Sequence, residues 1–200
     1  FIQNLIRALK DSIVNTLIGT EIISFLKFWG VMPASFLVVI IYMKAVHYFD
    51  ARKIFYSVLS LFLFFFLVFA FYIFPNHETL HFSDSTISTL TTAHPHFKWF
   101  ILLVAKWGFS LFYIISELWP NVIIGLLFWQ FINQVTKIEQ SKRFYGLFGL
   151  IGQTGLFISG KFLVYLPWIS NFLITTYSIQ KSLSIVSVQV VLTAVVALGI

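Results

Sequence analysis

The sequence predicts an all-α protein that crosses a lipid bilayer several times. Of its 200 residues, 59% are hydrophobic and 10% are charged, whereas soluble domains carry about 25% charged residues. The apolar runs are continuous rather than alternating, which excludes a membrane β-barrel. Because only helices or closed barrels satisfy the backbone in lipid, these runs are predicted to be transmembrane helices. The chain contains no Cys, so it offers no disulfide and no thiol metal site.

Six membrane-spanning helices are predicted within one domain, residues 1–200. The third has no charged residue and is the clearest span, while Pro33 is expected to kink the second. The first is unusually polar, and the sixth stops with the chain. Since the sequence begins without Met and ends inside an apolar run, we expect a fragment of a longer protein. The predicted spans cover about 1–18, 23–42, 54–74, 103–135, 144–166 and 182–200.

The fourth apolar stretch, Phe97 to Val135, is longer than the roughly 20 residues that one crossing needs. Two crossings would place the basic loops 43–53 and 137–143 on opposite sides, whereas the positive-inside rule favours both in the cytoplasm. We therefore predict one long helix, entered from an interfacial segment near 96–104 and bent by Pro120, which frees the carbonyl of Ser116. The N-terminus is then cytoplasmic, and the segment between the third and fourth spans is external.

This arrangement predicts the six-helix half of a twelve-helix, major-facilitator-like transporter. Intramembrane charges lie on the first and fourth helices, and major-facilitator folds nest inverted three-helix repeats within each half, with the substrate near the midplane. The formal net charge of +6 is interpreted as a topology signal, because Lys and Arg mainly set the orientation of membrane proteins. Nucleic-acid binding is not predicted.

A polar stripe runs along the predicted fourth helix. Lys106, Ser110, Glu117 and Asn121 fall within roughly 60° of one another on a helical projection, and Tyr113 lies at the edge. Ionisable residues at membrane depth are costly and by default mark a substrate or ion pathway. Glu117 is the strongest candidate, as a partner of a cation on the first helix, as a titrating group or as half of a structural ion pair. Lys106 either faces the cavity or reaches to the interface.

The first helix carries a second polar cluster. Asn4, Arg7, Asp11 and Asn15 share one face, and Lys10 lies beside it. Two cations and one anion leave this helix net positive, and Arg binds phosphate or carboxylate through two parallel hydrogen bonds. The cluster therefore favours an anionic substrate in a water-filled cavity. The alternative is that these side chains simply lie at the membrane interface.

Two other regions give weaker signals. Glycines spaced by three residues in the fifth helix indicate close helix packing, or a narrow face that exposes Gln153 and Thr154 to the cavity. The His residues of the external segment match no zinc spacing, so a solvated loop is predicted. With no hydrolase or metalloprotease motif and no Cys nucleophile, we predict neither catalysis nor a cofactor. The glycines of the fifth helix are Gly146, Gly149, Gly152 and Gly155, and the histidines of the external segment are His77, His81, His94 and His96.

Several segments, in order over about three quarters of the chain, match one family. They are Arg7-x-x-Lys10-Asp11, Glu21–Trp29, Glu117–Trp119, Phe128–Asn133 and Lys142–Gly149. On these segments the chain resembles the ATP/ADP translocase type of nucleotide transporter of obligate intracellular bacteria and plastids, and segment 76–99 is most similar to rickettsial members. Two segments depart from the family pattern. Pro120 replaces a common Gly after Glu-Leu-Trp, and Gln153 stands where the family often has Asn.

The resemblance implies the N-terminal half of a multi-pass carrier that exchanges ATP, ADP or other ribonucleotides across a bacterial inner membrane, with Gln153 able to change the base preference. We expect a monomer in the lipid bilayer. Arg7 and Lys10, assisted by Lys106, would bind phosphate, and Trp119 or Tyr113 would stack on the base. The alternatives are a proton-coupled carrier of another anionic metabolite and a non-transporting scaffold or enzyme subunit. The predicted substrate-binding residues are Arg7, Lys10, Lys106, Tyr113, Glu117, Asn121 and Gln153, with Asp11 and Glu117 as gating or charge-balancing residues.

Overall fold

A computed structural model describes residues 1–128, 138–179 and 181–199, with side chains except those of 126, 128 and 138–151. Within these ranges every regular element is helical. The helices are α1 (Ile2–Leu17), α2 (Ile22–Tyr48), α3 (Ala51–Ile73), a single turn (His77–Leu80), α4 (Asp84–Ala93), α5 (Lys98–Ala105), α6 (Trp107–Trp119, continued by the π-helical segment Pro120–Phe128), α7 (Ile138–Tyr177) and α8 (Leu183–Gly199).

Four helices of the described chain are long and apolar enough to cross a membrane, namely α2, α3, α6 and α7. Large apolar side chains cover their outer surfaces, as Phe36 on α2 and Phe64 on α3 illustrate with exposures of 62% and 64%. Lipid contact accounts for such faces, because soluble monomers rarely expose extended apolar surface. The first and sixth predicted spans correspond to α1 and α8, which have 16 and 17 residues. The architecture is that of a polytopic membrane protein.

Helices α1 and α8 lie inside the bundle. Helix α8 contacts α1, α3 and α7, while α1 contacts α6, α7 and α8. The α8 residues Val191, Leu192 and Val195 are completely buried. Helix α3 packs on α6 through Phe69 and Phe112, whose stacked rings have centroids 3.9 Å apart. This packing fixes α1 against α6, the two helices that carry the predicted intramembrane charges.

The predicted single helix over 103–135 is wrong at its beginning. Helix α5 ends at Ala105, and α6 begins at Trp107 after Lys106, whose φ of −109° and ψ of 43° are not helical. The carbonyls freed by this break find other donors. The Ala105 carbonyl accepts from the Phe82 N–H at 3.1 Å, and the Leu103 carbonyl accepts from Ser110 Oγ at 3.0 Å. Residues 129–135 of this prediction lie outside the described part.

The bounds of two other helices, α2 and α7, differ from the predicted spans. Helix α2 extends to Tyr48 rather than residue 42, and a π-helical turn, Lys27–Val31, immediately precedes Met32 and Pro33. Helix α7 passes through Pro167 to Tyr177 instead of ending at 166, and it is already helical from Ile138, within the predicted basic loop. Neighbouring helices and local adjustments re-satisfy backbone groups around Pro in membrane proteins. Sequence signals that end helices in water therefore place membrane helix ends too early.

Candidate functional site

The site begins with the inward face of α1. The buried residues Ile6, Lys10 and Val14 are spaced by four, so they form one line along the helix. Lys10 thus belongs to the apolar stripe that packs on α6, whereas Arg7, on the predicted polar face, is exposed and forms no ion pair with any described residue. The sequence had placed Lys10 beside the functional face. The structure makes it the buried centre.

Two carboxylates and an aromatic ring surround the Lys10 ammonium. Its Nζ lies 2.7 Å from Asp11 Oδ1, 2.9 Å from Glu117 Oε2 and 4.2 Å from the centroid of the Tyr113 ring. The Lys10 side chain is only 5% exposed, while those of Asp11 and Glu117 are 42% and 29% exposed. We refer to Lys10, Asp11, Tyr113 and Glu117 as the Lys10 centre. The ammonium of Lys10 is therefore enclosed, whereas the carboxylates of Asp11 and Glu117 are partly exposed.

The charges of this region balance. Arg7 and Lys10 carry two positive charges, and Asp11 and Glu117 carry two negative ones. The net positive first helix expected from sequence is therefore neutralised once Glu117 joins it. An ammonium has three N–H donors and two of those on Lys10 already face carboxylates, so a phosphate that makes more than one hydrogen bond to Lys10 has to replace a carboxylate. The arrangement is suited to exchange of one anion for another.

A cavity of about 1,020 Å³ lies between the first turn of α1, the second half of α6, α7 and the end of α8. Its walls are mainly apolar, and the carboxamides of Gln3, Asn4 and Gln153 supply polar groups. Trp119 lies on its wall although the ring is almost entirely buried. Small-molecule sites of about 300–1,000 Å³ are typically built in this way, from apolar walls with a few polar groups. Gln153 thus faces an open cavity next to α1.

Lys106, Tyr113 and Asn121 do not occupy the places expected of substrate-binding residues. Tyr113 is completely buried, in contact with a cluster that includes Val14 and Ile22, so its ring cannot stack on a nucleotide base in this conformation. Asn121 is exposed and donates from Nδ2 to the Glu117 carbonyl oxygen at 3.3 Å. Because the helix breaks at Lys106, the predicted stripe does not continue from Glu117 to this lysine.

Lys106 belongs instead to a second polar group, which we call the external clamp after the location that the sequence predicts for segment 76–96. Its Nζ donates to the Leu17 carbonyl oxygen, at the last turn of α1, over 2.9 Å, and Asp84 Oδ1 lies 3.9 Å away. A cation at a helix C-terminus is favourable because unpaired carbonyls there carry partial negative charge. Trp107 Nε1 donates to the Leu80 carbonyl at 3.1 Å. The clamp fastens the segment between α3 and α5 to α1 and α6.

His81 is the half-buried histidine of the external clamp. Its Nε2 accepts a hydrogen bond from the Gly108 N–H at 3.2 Å, and its ring packs edge-on against Phe109, with centroids 4.5 Å apart. Burial lowers the pKa of His81 to about 4, and the nearby positive charge of Lys106 and the ring of His77 act in the same direction. The predicted solvated loop is therefore partly ordered. Within the described residues, no three His, Cys, Asp or Glu side chains converge as a metal site requires.

Sequence reasoning missed two contacts of the Lys10 centre. Asp11 follows Lys10 directly, and adjacent residues of a helix do not normally face each other. Tyr113 precedes Glu117 by four residues, a spacing that places both on one face and was available as a signal. The hydroxyls of Tyr113 and Ser116 are buried and form no hydrogen bond within the described structure. Helix α6 therefore carries two buried hydroxyl groups that have no hydrogen-bond partner among the described residues.

The glycines of α7 divide into two kinds. A Cβ at Gly155 would lie 2.9 Å from the backbone nitrogen of Phe1, so this position permits a close approach to α1. Gly152 and Gly160 face open space. Gly146 and Gly149 belong to the stretch whose surroundings are not described. Close packing therefore applies to Gly155, while Gly152 lies with Gln153 on the cavity side.

Comparison with known proteins identifies the family. The whole chain, residues 1–200, matches the profile of the TLC ATP/ADP transporter. The chain belongs to the TLC ATP/ADP transporter family. Over its full length it is 58% identical to ADP,ATP carrier protein 4 of Rickettsia typhi and of Rickettsia prowazekii, and it covers 39% of each. ADP,ATP carrier protein 3 of Rickettsia bellii is 44% identical over 80% of the chain, which covers 32% of that protein.

This TLC transporter chain thus spans about two fifths of the length of the curated relatives that it matches. No solved structure matches it. The family resemblance inferred from the short segments is confirmed. The Lys10 centre draws on two of those segments, Arg7-x-x-Lys10-Asp11 and Glu117–Trp119. Geometry therefore joins two parts of the chain that sequence comparison marks separately.

Proposed function

We propose that this chain forms the N-terminal, six-helix half of a major-facilitator-like carrier that exchanges ATP and ADP, or another pair of ribonucleotides. The observation that carries the proposal is the Lys10 centre, an enclosed ammonium held by two partly exposed carboxylates in the contact between α1 and α6. Ionisable residues at membrane depth favour a transport role over a structural one. The names of the Rickettsia relatives support ATP and ADP as the first substrates to test.

In this mechanism phosphate and carboxylate compete for one cation. Without nucleotide, Glu117 and Asp11 neutralise Lys10, because an unpaired buried charge is strongly destabilising. An arriving phosphate displaces the Glu117 carboxylate and forms charge-assisted hydrogen bonds with Lys10. Arg7, exposed three residues away on α1, binds a second phosphate oxygen. When the nucleotide leaves, Glu117 pairs with Lys10 again, so the site remains charge-balanced throughout the cycle.

The base occupies the 1,020 Å³ cavity beside the Lys10 centre. Carboxamides both donate and accept hydrogen bonds, so Gln153 can bind the edge of a base. Because this position departs from the common family pattern, Gln153 sets the preference among ATP, GTP, CTP and UTP. Gln153→Asn should change the ranking of these substrates more than it changes the maximal exchange rate. Asn121 lies one turn from Glu117 as an exposed polar side chain, and its Nδ2 donates to the Glu117 main-chain carbonyl.

The carrier works by alternating access as a monomer in the bacterial inner membrane, with the N-terminus in the cytoplasm and segment 76–96 outside. The second half of the carrier covers the exposed side of Asp11 and Glu117. The carrier as a whole is proposed to have no catalytic activity and to need no cofactor. Transporter halves rock around a fixed midplane site, which is where an α1–α6 contact would lie.

The test uses the full-length carrier that contains this chain, expressed in bacterial cells that do not take up nucleotides. Cells loaded with labelled ATP, GTP, CTP or UTP are diluted into buffer with or without unlabelled nucleotide. Efflux stimulated by external nucleotide supports exchange, and the best substrate gives the base preference. Uptake that follows a pH gradient and ignores internal nucleotide would favour a proton-coupled carrier. Absence of transport for every nucleotide would overturn the proposal.

A further inference from the structure

The Lys10 ammonium lies over the aromatic ring of Tyr113 as well as beside two carboxylates. The Lys10 Nζ lies 4.2 Å from the centroid of the Tyr113 ring, inside the distance of about 6 Å at which a cation is attracted to an aromatic face. Two of its three N–H groups are directed to Asp11 and Glu117. The ring covers another side of the ammonium. Lys10 therefore has three different neighbours, of which one carries no charge.

The difference between these neighbours matters when an anion binds. A phosphate competes directly with the carboxylates of Asp11 and Glu117, because all three are hydrogen-bond acceptors for the same N–H groups. The ring face attracts the cation through its quadrupole and occupies none of the acceptor positions. The ring contact can therefore persist unchanged while the Glu117 carboxylate and the phosphate replace each other, because the ring competes with neither.

Tyr113 is itself immobilised. The residue is completely buried and lies in a cluster with Val14 of α1 and Ile22, Leu26 and Val31 of α2. None of these four side chains is titratable. The turn of α2 that carries Gly30 approaches α6 so closely that a Cβ there would lie 2.7 Å from Ile114 Cδ1. The ring is therefore a fixed surface between three helices, unlike the partly exposed carboxylates.

We propose that Tyr113 is a positioning residue whose ring holds the Lys10 ammonium in place while Glu117 and the phosphate of the substrate exchange on it. This inference rests on the proposed function. It replaces base stacking, the role that the sequence suggested for Tyr113, by an action through Lys10. The ring is the part of the side chain that does this, and the hydroxyl is dispensable.

The test measures the apparent KM and maximal rate of nucleotide exchange for the full-length carrier, normalised to carrier in the membrane. Tyr113→Leu should raise the KM by about 2- to 30-fold, the range expected for losing a buried cation–π contact, with a smaller change in maximal rate. Tyr113→Phe should restore the wild-type KM. Phe112→Leu is the matched control, because Phe112 is equally buried on the same helix but stacks on Phe69. It should lower the amount of carrier and leave the KM unchanged.

A second measurement keeps the idea testable if Tyr113→Leu fails to fold. Phenylalanines with one, two or three ring fluorines at position 113 retain the shape of the side chain and progressively weaken the attraction for a cation. The KM should rise with each fluorine. An unchanged KM across this series, or a Tyr113→Phe carrier as defective as Tyr113→Leu, would overturn the inference. Wild-type carrier that exchanges no nucleotide would instead overturn the proposed function, so the two failures are distinguishable.

Discussion

The Lys10 centre and the external clamp each contain a lysine, an aspartate and at least one aromatic ring, yet they use them differently. Lys106 donates to a main-chain carbonyl, Leu17 O, which belongs to the end of α1 and cannot leave it. Lys10 is bound by the side chains of Asp11 and Glu117, which can rotate away. A lysine held by backbone fastens helices together, whereas a lysine held by partly exposed carboxylates can accept another anion. In the proposed mechanism, the partner of the lysine distinguishes a structural cation from one that binds phosphate.

The sharpest test of this comparison is the pair Lys10→Met and Lys106→Met in the full-length carrier. Removing Lys10 leaves two carboxylates without their cation, and breaking a buried ion pair costs about 3–5 kcal/mol. That cost lowers the melting temperature, while nucleotide exchange per carrier should fall up to about 100-fold because the phosphate loses charge-assisted hydrogen bonds worth about 1.5–3 kcal/mol. The Lys106 variant should retain exchange within about threefold and lose only stability, on the order of 1 kcal/mol for one hydrogen bond. The measurements are exchange rate, carrier abundance in the membrane and melting temperature.

The comparison would be wrong if Lys106→Met abolished exchange in a carrier that melts like the wild type. Lys106 would then act on the substrate, as the sequence stripe first suggested. It would also be wrong if Lys10→Met exchanged nucleotide at the wild-type rate. Lys10→Arg serves as a further control, because it keeps the charge while changing the geometry of the donors.

The next effect concerns the packing of the external clamp. A Cβ at Gly108 would lie 2.7 Å from Ile73 Cγ2 and 2.8 Å from His81 Nε2. Gly108→Ala should therefore displace α3 or His81 and cost about 1–3 kcal/mol, as overpacking does in well-packed cores. Gly152→Ala is the matched control, since nothing lies within 4 Å of its Cβ position. We expect a lower melting temperature for Gly108→Ala alone, and equal melting of the two variants would contradict the described clamp.

Sequence reasoning captured the elements that depend on local composition. Apolar runs predicted the four helices of the described chain that are long and apolar enough to cross a membrane, and the polar positions of α1 and α6 marked both helices of the Lys10 centre. It failed where a distant segment intervened. The break at Lys106 depends on Phe82, which bonds the Ala105 carbonyl from another part of the chain. The inward position of Lys10 depends on which face of α1 meets α6, and the projection of one helix contains no information about its neighbour.

The smallest predicted effect is the response of the external clamp to acid. The pKa of His81 is about 4 in the folded protein, below its ordinary value of 6.5. Protons therefore bind the unfolded chain more readily, and the contribution of this residue to stability declines as the pH falls from about 6.5 toward 4. Protonation also removes the Nε2 lone pair that accepts from the Gly108 N–H. His81→Gln keeps an acceptor that does not titrate.

The contribution of His81 protonation to stability is measured by comparing melting temperatures of wild-type and His81→Gln carrier in detergent between pH 8 and about pH 4. The other groups around the same pocket, His77, Glu78, Asp84 and Lys106, are present in both proteins, so their titrations largely cancel in the difference. The wild type should lose stability relative to the variant only below about pH 6.5. A constant difference at every pH would mean that His81 is solvated as the sequence predicted. A difference confined to acid would show that the segment between α3 and α5 is anchored by a neutral, half-buried histidine, which sets it apart from the charged Lys10 centre.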